Sequence, residues 1–182
     1  MTPPPRRNGV LIAARTPFRE RGPLTDRVEE PYRMLTITFC APTSAGAHSI
    51  PLRVTGAHLP NLLRKAPYWD DLVRRACRCR SQHTVLLGDF NTTRHYNDEP
   101  GSVCTTSEYM DRIEAAGLRD VWRQHHPETR KFSWYSTHGN RCRIDHAFCT
   151  RAVAERVRAV RYSHTERTTG LSDHSLLVLD ID

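Results

Sequence analysis

Three short polar stretches carry side chains suited to handling phosphate esters: Leu87-Gly88-Asp89-Phe90-Asn91, Arg143-Ile144-Asp145-His146 and Ser172-Asp173-His174. A carboxylate can orient or deprotonate an attacking water, and a primary amide can donate to a phosphate oxygen. In the first stretch a spacing of two puts Asp89 and Asn91 on one side of an extended backbone, with Phe90 turned the other way into a core. In the third, adjacent Asp173 and His174 face opposite ways and need different partners. Asp145 is available to His174: a carboxylate on one ring nitrogen fixes the tautomer, raises the imidazole pKa and frees the other nitrogen for substrate. Asp173 is then free for a hard cation such as magnesium, which prefers oxygen ligands and keeps several waters. Taken singly, each block also has a plainer reading, an Asp-Asn turn capping its own backbone or a histidine closing a loop.

Groups of this kind need strand ends to hold them, and the apolar pattern supplies these. Val85, Leu86 and Leu87 precede the first block, and Leu176, Leu177 and Val178 follow the last. Short apolar or alternating runs predict strands at Gly9 to Ala14, Met34 to Phe39, Ile50 to Ala57, Thr84 to Gly88, Phe132 to Tyr135, Arg143 to Cys149, Ala159 to Tyr162 and Leu176 to Asp180. The second and third can pair as a hairpin, and the polar stretch up to about Glu30 reads as a loop. From Leu62 to Arg80 the period changes: Tyr68, Leu72, Val73 and Ala76 share one helical face, with Arg64, Asp71, Arg74, Arg75 and Arg78 elsewhere. Thr105 and Glu108 suggest a capping box for a second helix ended by Gly117, and a short helical piece falls around Ala152 to Val157. Strands outnumber helices in mixed order, which predicts an α+β fold of sheet packed on sheet with helices outside.

At 182 residues the chain suits one domain, residues 1–182. Its formal charge of +7 favours polyanionic partners, although only Lys65 and Lys131 are lysines and an arginine bias of this kind also follows from base composition. No apolar run is long enough to span a membrane and Met1 to Arg7 lack a secretory apolar stretch, so the expectation is a cytoplasmic protein with no membrane partner. The cysteines at 40, 77, 79, 104, 142 and 149 match neither a zinc pattern nor a disulfide framework, and reduced thiols are expected.

In this order the three blocks resemble the endonuclease/exonuclease/phosphatase superfamily, whose members carry a Gly-Asp-x-Asn strand end, an Arg-Ile-Asp-Tyr-like strand and a Ser-Asp-His near the C-terminus. The likeness extends through Ala57-His58-Leu59-Pro60-Asn61, Gly117 to Arg123, His126-Pro127 and Phe132 to Tyr135, and is greatest to exonuclease III-like apurinic endonucleases. It implies a four-layer α/β/β/α sandwich of two mixed sheets flanked by helices. It also implies a magnesium- or manganese-dependent phosphodiester hydrolase, with DNA as the expected substrate. On that resemblance Asp89 activates water, Asn91 holds the scissile phosphate, His174 oriented by Asp145 donates to a phosphate oxygen, and Asp173 meets the metal. His58 and Trp134 would contact substrate, though a strand-end histidine and a core aromatic are equally ordinary readings. The family's first strands, bearing an Asn and the main metal-binding Glu, have no counterpart here. The expectation is a domain incomplete at its N-terminus, with weakened metal affinity and the missing segment supplied by an upstream start or another chain. Two alternatives stay open: an inactive remnant that binds polyanions, and an enzyme acting on a phosphate ester outside nucleic acid.

Overall fold

The computed structural model describes residues 8–20, 27–41, 50–101 and 105–182. In chain order, β1 (Arg19–Glu20), β2 (Met34–Ala41) and β3 (Ile50–His58) precede helix α1 (Ala66–Cys79) and β4 (His83–Asp89). Helix α2 (Glu108–Ala115), β5 (Leu118–Asp120) and α3 (Val121–His125) lead to the hairpin strands β6 (Trp134–Tyr135) and β7 (Arg141–Cys142). The chain closes with β8 (Asp145–Thr150), α4 (Arg151–Ala154), β9 (Val157–Ser163), α5 (Thr165–Thr168) and β10 (Leu176–Ile181).

Six strands form a mixed sheet in the order β1-β2-β3-β4-β8-β5, with β3 and β4 parallel and the other pairs antiparallel. The β9-β10 pair is a second, antiparallel sheet. The period of two sorts the side chains of β4 and β8 between two cores. Leu86 and Phe148 face helices α1 and α2, packing with Trp69, Leu72, Met110 and Ile113. Val85, Leu87, Ala147 and Cys149 face the other way, onto Val121, Trp122, Val153, Val160 and Tyr162. The α+β class and the packing of sheet on sheet are as the sequence implies.

Several local expectations are corrected. Gly9 to Ala14 forms no ladder: it runs with Val10 and Ile12 inward over Gly56 and Leu11 90% exposed, tied to the rest by Val10 N–H donating to Tyr32 O at 3.3 Å. Its alternation is that of a strand, but no strand among the described residues lies beside it to pair. Within the expected loop, Arg19 and Glu20 instead pair with Thr38 and Ile37. The first helix begins at Ala66 after a 3-10 turn (Leu62–Lys65), because Pro67 fits only the first helical turn. Asp71, expected outside, is buried between Arg75 at 2.5 Å and Arg74 at 3.3 Å. The capping box does not form: Ser107 precedes α2 and donates its hydroxyl to Thr93 O. Phe132 to Tyr135 shortens to the two residues of β6, and Arg143 and Ile144 precede β8.

Candidate active site

Strand register assembles the site. Ala57 lies opposite Gly88 and His58 opposite Asp89 across β3 and β4, while Asp89 lies opposite Asp145 across β4 and β8. Three ionisable side chains therefore reach one end of the sheet. Gly88 makes the β3 approach possible: at φ +137° a Cβ there would lie 2.0 Å from Ala57 O. Phe90, fully buried, stacks on Trp69 at 5.1 Å and anchors the strand end between Asp89 and Asn91. The chain then turns at Asn91, φ +48°, a left-handed conformation that asparagine tolerates. The expected extended geometry through Asn91 is thus replaced by a turn, closed by Asn91 N–H donating to Asp89 Oδ1 at 2.8 Å.

His58, Asp89, Asn91, Trp134, Asp173 and His174 line one cleft of about 520 Å³. Asp145 lines the adjoining pocket that shares His174 with the cleft, its Oδ2 2.8 Å from His174 Nδ1. Burial alone would lower the His174 pKa, but the hydrogen bond and charge of Asp145, aided by Asp89 and Asp173, hold it above the ordinary value. For Asp89, burial first and the Asp145 charge second push the carboxyl up to about 7, against the pull of the Asn91 N–H, His174 and Lys65. His58, with Nε2 3.7 Å from Asp89 Oδ2, is held below its ordinary value by burial, then by Arg33 and His174. A group near neutrality beside a raised histidine is an acid-base arrangement.

Asn91 is already engaged: its amide donates to Leu59 O at 2.7 Å and to Asp89 Oδ2 at 3.2 Å. Asp173 lies on the Nε2 side of His174, its Oδ1 4.0 Å from that nitrogen, and accepts from the Trp134 indole N–H at 3.0 Å. Trp134 therefore lines the cleft at the β6 end and fixes Asp173, joined to the last block by the isolated bridge between Trp134 and His174. As to a metal, the described residues contain no cluster of three His, Cys, Asp or Glu with ligand spacing. The donors present, Asp173 and Asp89, are hard oxygens, and magnesium commonly takes one or two carboxylates and fills its remaining positions with water and substrate phosphate. The donor set fits such an ion in kind, as an open site.

The supporting residues gave little signal in the sequence. Buried Lys65 donates its ammonium to Asn91 O, bracing the turn. Arg143, fully buried, bonds Asp98 at 2.8 and 2.9 Å and Asp120 at 3.2 and 2.6 Å, so the residue two before Asp145 is clamped. The Ser133 hydroxyl accepts from Ile144 N–H and Asp145 N–H, and Tyr162 donates to Asp145 O at 2.6 Å. Asp98 and Asp120 lie 45 and 23 residues from Arg143, beyond any local pattern. The Arg of Arg-Ile-Asp-His was the one legible trace.

The fold has solved relatives. The 3′ phosphatase NExo from Neisseria, bound to product DNA hairpin, is 22% identical with a TM-score of 0.67, covering 83% of this chain and 65% of that one. The catalytic domain of Xenopus laevis APE2 is 16% identical with a TM-score of 0.69, covering 84% of this chain and 56% of that one. An AP endonuclease from Archaeoglobus fulgidus is 20% identical with a TM-score of 0.62, covering 84% and 66%. This chain thus spans less than two thirds of the length of each of these relatives. The Endonuclease/Exonuclease/phosphatase family model matches residues 2–174, nearly the whole sequence, and the chain belongs to that family.

Proposed function

We propose that the cleft serves metal-assisted hydrolysis of a phosphodiester in nucleic acid, with DNA as the substrate. The observation that carries this reading is the His174 to Asp145 hydrogen bond of 2.8 Å in a cleft where His174 meets Asp89, Asn91 and Asp173. Asp89, as carboxylate, accepts a proton from a water whose oxygen attacks phosphorus, and the leaving oxygen departs with the bond's electron pair. His174, oriented by Asp145, which raises its pKa, donates through Nε2 to a non-bridging oxygen as negative charge grows there. Asn91 turns toward the phosphate the amide hydrogen that Nδ2 now gives Asp89 Oδ2, at 3.2 Å from nitrogen to oxygen, while keeping its shorter bond to Leu59 O. Neutral His58 is a further donor to phosphate. Trp134 forms the apolar wall and holds Asp173, which with Asp89 would hold magnesium or manganese. Such an ion, when bound, supplies compensation for the charge developing at phosphorus and on the leaving oxygen. The net charge of +7 and the family's DNA-processing structural relatives support nucleic acid over other phosphate esters.

The test incubates purified protein with magnesium or manganese and abasic duplex DNA, alongside a generic phosphodiester. Hydrolysis abolished by chelator and by His174→Ala is expected. No turnover at any metal concentration, with salt-sensitive DNA binding retained, would reject hydrolysis in favour of polyanion binding alone.

A further inference from the structure

At the rim of the cleft, Phe132, the β6-β7 hairpin and α5 carry two adjoining rings flanked by two cations that the hydrolysis leaves unused. The Arg141 guanidinium lies over the Phe132 ring at 4.9 Å, Phe132 meets Tyr135 edge to face at 6.3 Å and 90°, and the Arg167 guanidinium lies over Tyr135 at 3.9 Å. Four side chains from three parts of the sequence thus form one row: Arg141, Phe132, Tyr135, Arg167. Neither arginine forms an ion pair among the described residues, although Glu166 adjoins Arg167, and Arg167 Nε is buried without a hydrogen-bond partner. Successive residues of a strand face opposite ways, so Trp134 enters the cleft while Tyr135 joins the row. The two surfaces are tied together by Tyr135 N–H donating to Asp173 O at 3.4 Å.

A guanidinium lying flat on a ring keeps its outer face for another planar group and its N–H edge for phosphate oxygens. Rings flanked by such cations match the chemistry of an unpaired strand, whose bases offer π-faces between phosphates. A duplex keeps its base faces stacked inside and presents mainly phosphates to such a row. We infer that Arg141, Phe132, Tyr135 and Arg167 form a binding surface for single-stranded nucleic acid that continues from the cleft. The inference rests on the proposed nuclease reading only for the direction in which the strand leads.

The test measures binding rather than turnover, with the full chain in chelator. Its probes are a labelled single-stranded oligonucleotide of about 12 nucleotides, a blunt duplex and inorganic polyphosphate, the last carrying charge without bases. The double variant Arg141→Lys, Arg167→Lys keeps net charge but loses both planar faces. Single-strand affinity should fall about tenfold, with duplex and polyphosphate affinities within twofold of the parent. If the double variant loses its folded circular dichroism, exposed Arg141→Lys alone should weaken the single strand at least threefold. Smaller single-strand losses, or an equal loss on polyphosphate, would overturn the inference. Binding that responds to these variants while magnesium never elicits cleavage would instead sink the hydrolysis proposal and leave this surface standing.

Discussion

Asp89→Asn should stabilise the metal-free protein at alkaline pH while removing the proposed base. Asp89 is opposite Asp145 in the ladder, and burial together with that neighbouring charge raises its pKa from the ordinary 3.8 to about 7. Each tenfold change in proton affinity corresponds to about 1.4 kcal/mol, so the ionised carboxyl costs the native state on the order of 4 kcal/mol above pH 7. The direction follows from proton counts. Between about pH 4 and pH 7 the folded state binds the Asp89 proton and the unfolded chain has released it, so stability falls as pH rises through that window. Asparagine keeps an oxygen for the Asn91 N–H at 2.8 Å but meets the Asn91 amide, now 3.2 Å from Oδ2, with hydrogens of its own. That conflict costs about 1 to 2 kcal/mol. A net gain of about 2 to 3 kcal/mol at pH 8 remains, vanishing at about pH 5 and turning into a loss of about 1 to 2 kcal/mol at about pH 4, where only the amide conflict is left. Urea denaturation in chelator at both pH values measures it as a midpoint shift at constant slope. A variant no more stable than the parent at pH 8, or a gain that does not shrink on acidification, would refute this electrostatic account of the cleft.

Three further outcomes follow from the same geometry. Arg143→Met should cost about 3 to 5 kcal/mol at pH 7, because it leaves buried Asp120 without its cation and Asp98 with Arg123 alone, at 2.6 Å. In the parent, Asp98 and Asp120 are lowered, the latter to about 2, because Arg143 outweighs their burial; their stabilisation is present above about pH 4 and fades as pH falls toward 2. Without Arg143 burial raises Asp120, while Asp98 keeps Arg123, so the variant should instead recover stability on acidification from pH 7 to 4, read from denaturation midpoints. Asp145→Asn removes what holds the His174 pKa up, so in the hydrolysis assay kcat should drop about 10²- to 10³-fold with KM little changed; a loss under about fivefold would deny Asp145 its orienting role. Gly88→Ala should lose about 2 to 4 kcal/mol by denaturation, because its Cβ meets Ala57 O, whereas Gly139→Ala, with no neighbour within 4 Å, should lose about 1 to 2 kcal/mol for its positive φ alone.

What was legible in the sequence was what is local. A period of two sets the faces of β2, β3, β4 and β10, and an apolar run ending in Gly88-Asp89 marks a strand end whatever the rest of the chain does. The pairing of His174 with Asp145 was accessible because a carboxylate suits an imidazole nitrogen, Asp145 was one available partner, and the family resemblance singled it out. Non-local facts were not legible. Gly9 to Ala14 has the composition of a strand, but pairing depends on a neighbour that its own residues do not specify. Lys65 reads as a surface cation until the Asn91 turn brings a carbonyl to it. The Thr105 and Glu108 spacing suits a capping box, yet Thr106 takes φ +70°, Ser107 is drawn to Thr93 O, and the helix starts elsewhere.

The ladder register explains why these residues form a reactive cleft and not a row of solvated strand ends. A slip of β8 by one residue against β4 would place His146, whose Nε2 lies 2.8 Å from Thr92 O, opposite Asp89 and turn Asp145 to the helical face. Arg143 opposes that slip, since its four bonds to Asp98 and Asp120 fit one position of the strand. Ser133 and Tyr162 oppose it at the next residues through the backbone of Ile144 and Asp145. The buried network therefore holds two carboxylates closer together than they would settle in water. That proximity, added to burial, raises Asp89 toward neutrality, and Asp145 in turn raises the pKa of His174 beside it. Loosening the clamp should relax both shifts together, so the stability of the network and the acid-base character of the cleft are coupled through one strand.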